Sequence, residues 1–444
     1  MNKLEQILNL VEEYVNERDE EKTWNPGEDW ISYSGPHFNK DEYVEAIKVL
    51  LNGWLIFGEN SREFEKIFPQ HLGKRHGSLT NSGSSANLLA VTSLKSKNTF
   101  NLPEGSKFIT PVVCFPTTIN PLIQNGFVPV FIDVTLPDIN LDLDQMEQKL
   151  KEDPEIRGVM FAHTMGNPPD MDRFMSLVEK YDLVFVEDAC DSLGGYYDGK
   201  KLGSFGDIST CSFFPAHHMT MGEGGFIATD NNKIRKVVAS IRDWGRACYC
   251  NTAKPGCVIN STACGNRFKN WLPALPEAIY DHRYVFDEIG YNLKPLDLQA
   301  ALGLEQVKKL PDLDAARRKN FKLLSDIFKP YEKYLHLPKA TDKADPCWFG
   351  YLMTVRPDAP FTKQDLVAWL EQNRIQTRSY FAGNVLYHPG YSALAEQYED
   401  LNLEFPIAKT VTTNSFFLGT FIGISEEKMN YIDNAVSRFF EAMT

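Results

Sequence analysis

The sequence predicts an α/β protein: a large domain built on a mostly parallel sheet, followed by a smaller C-terminal α+β domain. Three observations carry that expectation. Between Lys107 and Asp230, short runs rich in Val, Ile and Phe alternate with helix-like stretches, as expected for strands buried on both faces. Beyond about Leu310 the texture changes to longer helical stretches separated by isolated strand-like runs. The 444 residues, 43% apolar and 24% charged, also supply enough core material for a large domain and a small one.

The elements follow in chain order. Residues 1–40 open with MNKLEQILNLVEEYVNERDEEK, which reads as an amphipathic helix with Leu4, Ile7, Leu8, Val11 and Val15 on one side. The opening lacks a signal-peptide apolar core. No stretch approaches the roughly 20 apolar residues needed to cross a bilayer. A cytoplasmic protein is therefore expected, with its eight cysteines as thiols or metal ligands, not disulfides. Residues 41–310 form the expected large domain. GSLT is its first strand candidate, followed by KFITPVV, VPVFIDV, RGVMFAH, LVFVED, ISTCSFF and GFIATD. Residues 311–444 form the expected small domain: a helix over DLDAARRKNFKLLSDIF, a strand in CWFGYLMTVR, a helix over KQDLVAWLEQN and a strand in SFFLGTF. With 46 basic and 59 acidic side chains, the net charge of −13 argues against nucleic acid or an acidic membrane as partner. An anionic small molecule stays open, since local arginines or helix N-termini can hold one.

In sheets of this kind ligands sit at the carboxyl ends of strands, and the chemically suggestive residues cluster there. NSGSSANLL (81–89) follows a strand and opens a helix, so Gly83 and Ser84 suit either an anion seat or a plain capped helix start. Asp188 ends LVFVED, where a carboxylate suits a pyridinium nitrogen or an N-cap. CSFFPAHHMTMGEGGF places Ser212 five residues before His217, with a Gly-rich turn after it. Cys248 and Cys250 form a C-x-C pair, Cys257 and Cys264 follow, and Cys190 lies upstream beside Asp191. Thiolates so grouped suit an iron–sulfur centre or zinc. Cys114, Cys211 and Cys347 sit in apolar, strand-like surroundings and read as buried small hydrophobes.

Together these segments resemble the DegT/DnrJ/EryC1/StrS family of sugar aminotransferases, from roughly Trp54 to the C-terminus. The resemblance implies the type I (aspartate aminotransferase) fold of pyridoxal-phosphate enzymes. In that family a Ser-x-x-x-x-Lys run precedes a Thr-x-Gly-Glu-Gly-Gly turn, and the lysine forms a Schiff base with the cofactor. Here His217 stands at the lysine position. The resemblance further implies that Gly83, Ser84 and Ser212 hold the cofactor phosphate, that Phe115 stacks on the pyridine ring, and that Asp188 pairs with its nitrogen. Asn292 would reach the phosphate of a neighbouring subunit, which implies a homodimer. Asp191 lies near the ring, where relatives often carry His or Gln. An imidazole cannot form the Schiff base, but a histidine, with an ordinary pKa of about 6.5, can move a proton near neutrality. The expected chemistry therefore starts from pyridoxamine phosphate: His217 removes a C4′ proton, and a sugar hydroxyl leaves C3. His218 matches no chemical position and is expected to be structural.

The cysteine pattern is similar to that of family members which dehydrate nucleotide-linked 4-keto-6-deoxyhexoses at C3 with pyridoxamine phosphate and a [2Fe–2S] cluster. CGNRF matches their final cysteine, which implies Cys190, Cys248, Cys250 and Cys264 as ligands. NTAKPGCVINSTA lengthens the interval and leaves Cys257 as the other candidate. The same resemblance implies a CDP-linked substrate, a product on the route to 3,6-dideoxyhexoses of O-antigen lipopolysaccharide, and electrons from an NADH-dependent flavin/iron–sulfur reductase. TDP-linked substrates, a cluster-free dehydratase of the GDP-colitose route and an inactive aminotransferase-fold protein are the alternatives.

Overall fold

The computed structural model describes residues 2–248 and 267–443. Each apolar run between Lys107 and Asp230 becomes a strand, as does the run before it. β1 (His76–Thr80), β2 (Lys107–Pro111), β3 (Val128–Ile132), β4 (Ile156–Ala162), β5 (Val184–Asp188), β6 (Ile208–Ser212) and β7 (Gly225–Thr229) form one sheet in the order β1-β7-β6-β5-β4-β2-β3. β7 runs antiparallel to β1 and β6, and the other pairs are parallel. This is the expected α/β architecture.

β5 shows why these strands read as unbroken apolar runs. Val184 and Val186 pack with Leu89 and Ile241 on one face, while Phe185 packs with Phe161, Phe174 and Leu177 on the other. With helices on both faces, neither face needs polar residues. A common strand direction also brings Pro111, Ala162, Asp188 and Ser212 to the same edge of the sheet, where the functional residues gather.

A second, antiparallel sheet is built from β8 (Leu335–His336), β9 (Gly350–Val355), β10 (Arg378–Ser379) and β11 (Ser415–Gly419), ordered β8-β9-β11-β10. Tyr351, Met353 and Leu418 form its core with Leu366, Leu370, Ile432 and Val436 from two covering helices. A 32-residue helix, Asp297–Phe328, joins the two sheets. Its first half packs with Phe64, Phe213 and Met221 through Ala300, Leu310 and Leu313, and Leu324 and Phe328 pack on the second sheet. The sequence suggested a helix starting near residue 312; the structure starts it at Asp297 and carries it through Pro311. The proline removes one hydrogen bond, but packing on both sides holds the helix together. The boundary expected near residue 310 falls inside it.

The N-terminal helix Lys3–Glu20 starts at a capping box between Asn2 and Glu5. Of its expected apolar side only Val15 is buried, whereas Leu4 and Ile7 are 44% and 42% exposed. The following segment is tied to the small-sheet side: Ile31 N–H donates to Arg374 O (2.8 Å) and its carbonyl accepts from Gln376 N–H (3.0 Å). Among the described residues no helix is long and apolar enough to cross a membrane.

Candidate active site

One cavity of ≈ 750 Å³ opens at the carboxyl edge of the large sheet, with a wall of the small sheet opposite. Gly83, Ser84, Phe115, Asp188, Cys190, Asp191, Ser212 and His217 all line it. The structure therefore gathers into one space residues that lie far apart in the chain.

The seat for an anion is the start of helix Gly83–Leu94, which follows β1. Ser82 caps it, its hydroxyl accepting from Ser85 N–H at 3.1 Å. The first-turn amides have no intrahelical partner, and the helix dipole adds positive potential there. Ser212, at the end of β6, closes the other side. A Cβ on Gly83 would lie 2.4 Å from Ser212 Cβ and 2.7 Å from its Oγ, so only glycine lets that hydroxyl stand against the helix terminus. First-turn amides without an intrahelical partner, with the Ser212 hydroxyl beside them, suit the phosphate of pyridoxamine phosphate.

Asp188 ends β5 and is 3% exposed. Its Oδ2 accepts from Asn87 Nδ2 (2.8 Å) and Thr118 Oγ1 (2.9 Å), and its Oδ1 from Cys190 N–H (3.1 Å). Thr210 Oγ1 in turn donates to Asn87 Oδ1 at 2.5 Å. These donors are all neutral, and a buried carboxylate seeks a charged partner. The carboxylate therefore fits a protonated ring nitrogen. Sequence reading missed Asn87 and Thr118, although a signal existed: Asn87 lies one turn beyond Gly83, and Thr118 follows Phe115 closely. Phe115 is 49% exposed and meets Phe381 edge-on at 5.7 Å, which leaves a ring face for stacking.

His217 sits in the turn between β6 and β7. Its Nδ1 is buried without a hydrogen bond and lies 3.5 Å from Asp191 Oδ1, a distance within ion-pair range only. Burial raises the Asp191 carboxyl, and His217 opposes that rise. The turn is held from behind by Arg317 of the long helix, which sequence reading did not single out. Its guanidinium, 3% exposed, donates to His217 O (2.9 Å), Ala216 O (3.4 Å) and Phe349 O (3.1 Å). His218 points away: its Nε2 bonds Cys347 O at 2.7 Å, and burial, with Arg317 second, holds its pKa well below the usual histidine range. That agrees with a structural role.

Among the described residues, Cys190 is the expected cluster ligand that lines the cavity. Burial, reinforced by Asp188, pushes its thiol well above the ordinary range. Cys248 is described but does not line the cavity. Cys250, Cys257 and Cys264 lie outside the described residues. Among the described residues no group of three or more His, Cys, Asp or Glu side chains is placed to hold a metal ion. Cys114, Cys211 and Cys347 are buried, as their surroundings suggested. Asn292 does not line this chain's cavity; its Oδ1 accepts from Lys294 Nζ at 2.8 Å.

A mostly parallel sheet with a helix start lining the cavity at its carboxyl edge, and a buried carboxylate at the end of β5, defines a protein of the pyridoxal-phosphate type I fold. Within that class, the chain belongs to the DegT/DnrJ/EryC1/StrS aminotransferase family, whose model matches residues 36–437. It is 38% identical to the lipopolysaccharide biosynthesis protein RfbH of Salmonella typhimurium, over 99% of this chain and 98% of that protein. It is 40% identical to dTDP-4-dehydro-2,6-dideoxy-D-glucose 3-dehydratase of Saccharopolyspora spinosa, over 98% of this chain and 92% of that protein. The solved structure of E. coli GDP-4-keto-6-deoxy-D-mannose-3-dehydratase with bound hydrated PLP matches with a TM-score of 0.78 at 26% identity, covering 92% of this chain and 100% of that one.

Proposed function

We propose that this chain is a pyridoxamine-phosphate-dependent 3-dehydratase acting on a nucleotide-linked 4-keto-6-deoxy sugar in deoxysugar biosynthesis. The observation that carries the reading is His217, an imidazole in the cavity at the family's lysine position, beside a seat suited to the cofactor. When bound, pyridoxamine phosphate supplies an amine that condenses with a ketone and a ring that accepts electrons. The chain's own residues supply the rest. Gly83, Ser84 and Ser212 hold the phosphate, Asp188 keeps the ring nitrogen protonated, and Phe115 covers a ring face. His217 moves the proton at C4′, and Asp191, 3.5 Å from Nδ1, stabilises the imidazolium that results. The sugar loses its C3 hydroxyl as water. His217→Asn is expected to keep pyridoxamine phosphate bound while slowing solvent exchange of the C4′ proton by about 10²- to 10⁴-fold. Undiminished exchange in that variant would remove His217 from the reaction.

The finer reading adds a [2Fe–2S] cluster on Cys190, Cys248, Cys250 and Cys264, with electrons from an NADH-dependent flavin/iron–sulfur reductase and a CDP-linked substrate. Its support is the place of Cys190 in the cavity wall, two residues from Asp188, and an all-thiolate donor set suited to iron–sulfur chemistry. The cluster-free alternative has equal support, from the match to a GDP-sugar 3-dehydratase. An iron count and a visible spectrum of anaerobically purified protein separate them. Cys190→Ser should strip iron while leaving pyridoxamine phosphate bound; protein without iron leaves the cluster-free reading. Turnover of CDP-, TDP- and GDP-linked substrates side by side identifies the nucleotide. We also read the chain as a homodimer. Ile289 (96% exposed), Ile279 (71%) and Phe268 (61%) are bare apolar side chains in the same stretch of chain as Asn292, and light scattering reports the mass.

A further inference from the structure

The cavity wall contains three carboxylates, Asp188, Asp191 and Glu223, but among the described residues that line it only one lysine or arginine, Arg378. β10 carries Arg378 at the edge of the small sheet, and it lines the same cavity as the helix start that suits the cofactor phosphate. Its guanidinium carbon lies 4.4 Å from the centre of the Tyr33 ring, and Nη1 donates to its own neighbour's carbonyl, Thr377 O, at 2.8 Å. Tyr33 is itself fixed: its N–H donates to Gln376 Oε1 at 3.1 Å, and its ring meets Phe417 edge-on at 5.8 Å. The side chain is exposed, so the cation is oriented by stacking while its outer N–H groups remain available.

A guanidinium held by stacking, with free N–H groups, matches the planar, bidentate geometry in which arginine binds phosphate. The cofactor phosphate has its own seat at Gly83, Ser84 and Ser212. A nucleotide-linked sugar brings a second anion into the cavity, and the described lining offers one side-chain cation for it. We infer that Arg378, oriented by Tyr33, binds the diphosphate of the nucleotide sugar and so fixes how far the sugar reaches toward His217. This inference rests on the nucleotide-sugar reading above. A carboxylate, such as that of an amino-acid donor, shares the oxyanion chemistry, and the experiment separates the two sources.

Pyridoxamine-phosphate-loaded protein is titrated calorimetrically with CDP, dTDP and GDP, with the matching nucleosides, and with L-glutamate. Arg378→Ala is expected to weaken the diphosphates by about 10- to 100-fold, the range of a charge-assisted hydrogen bond. Nucleoside binding, glutamate binding and cofactor retention should stay as in wild type, and Arg378→Lys should recover part of the loss. A merely structural role would weaken nucleoside and diphosphate alike. Diphosphate binding unchanged in Arg378→Ala, or a loss confined to glutamate, overturns the inference and leaves the nucleotide-sugar reading in place. If the wild type binds none of the three diphosphates, the nucleotide-sugar reading itself fails, and that is visible without any variant.

Discussion

At the scale of single residues, the proposed reading turns on His217 standing where lysine-bearing members of the family carry their lysine. Returning the lysine tests that directly. His217→Lys should hold pyridoxal phosphate through a covalent link, seen as a visible absorbance band that survives dialysis and becomes permanent on borohydride treatment. Dehydration should be lost. A variant that keeps full dehydration and shows no such band would place the chemistry elsewhere. A second residue tests the electrostatics behind the cavity. Burial pushes the Asp314 carboxyl up to about 6, although the Cys347 thiol and Arg318 oppose the rise. A folded-state pKa above the unfolded value means that the unfolded chain loses its proton first. Stability therefore falls as pH rises from about 4 to about 6 and then levels off. Asp314→Asn should gain about 1–3 kcal/mol over wild type above that window and nothing below it, as read from denaturant midpoints across pH. The residues that gather in the cavity were legible in the sequence because small-residue turns and strand ends mark them. Arg317 was not: nothing in DLDAARRKNF distinguishes the arginine turned inward to His217 O from Arg318, which reaches Asp345 and Pro346 O.

At the scale of elements, the strands of the large sheet were legible almost residue by residue, because burial on both faces leaves an uninterrupted apolar signature. The long helix Asp297–Phe328 was legible only in its second half. Pro311 reads locally as a stop, and what overrides it is tertiary packing at both ends, which the sequence does not display. That helix also sets the position of the His217 turn. Arg317→Met keeps the bulk but leaves the carbonyls of Ala216, His217 and Phe349 without their donor. The expected cost is about 2–4 kcal/mol of stability, measured by denaturation. Exchange of the C4′ proton should slow while the cofactor phosphate seat stays intact. If the exchange rate is unchanged in a variant that is clearly destabilised, the helix supports the fold but does not position His217.

At the scale of the whole molecule, the division into a mostly parallel sheet and a smaller antiparallel one was legible from the change of texture along the chain. The surroundings of the N-terminal helix were not. Its apolar side was read from spacing alone, and spacing cannot say what covers it; within one chain Leu4 and Ile7 remain largely bare. The tie between Ile31 and the loop residues Arg374 and Gln376, which precede β10, was equally hidden, because it joins segments more than three hundred residues apart through backbone atoms.

The seat formed by Gly83, Ser84 and Ser212 has a consequence for ionic strength. Within one chain it offers amides and hydroxyls, with no lysine or arginine among the described lining residues on that side. Short-range hydrogen bonds in a sheltered pocket are little affected by mobile ions, whereas an exposed cation such as Arg378 is screened as the Debye length shrinks from about 10 Å at 0.1 M to about 3 Å at 1 M salt. The two anions should therefore respond differently to added salt. Cofactor retention after gel filtration should be nearly the same in dilute buffer and in about 0.5 M sodium chloride, while the KM for the sugar nucleotide climbs severalfold over that range. In dilute cytosol-like buffer the enzyme would keep its cofactor through many turnovers and let the substrate come and go.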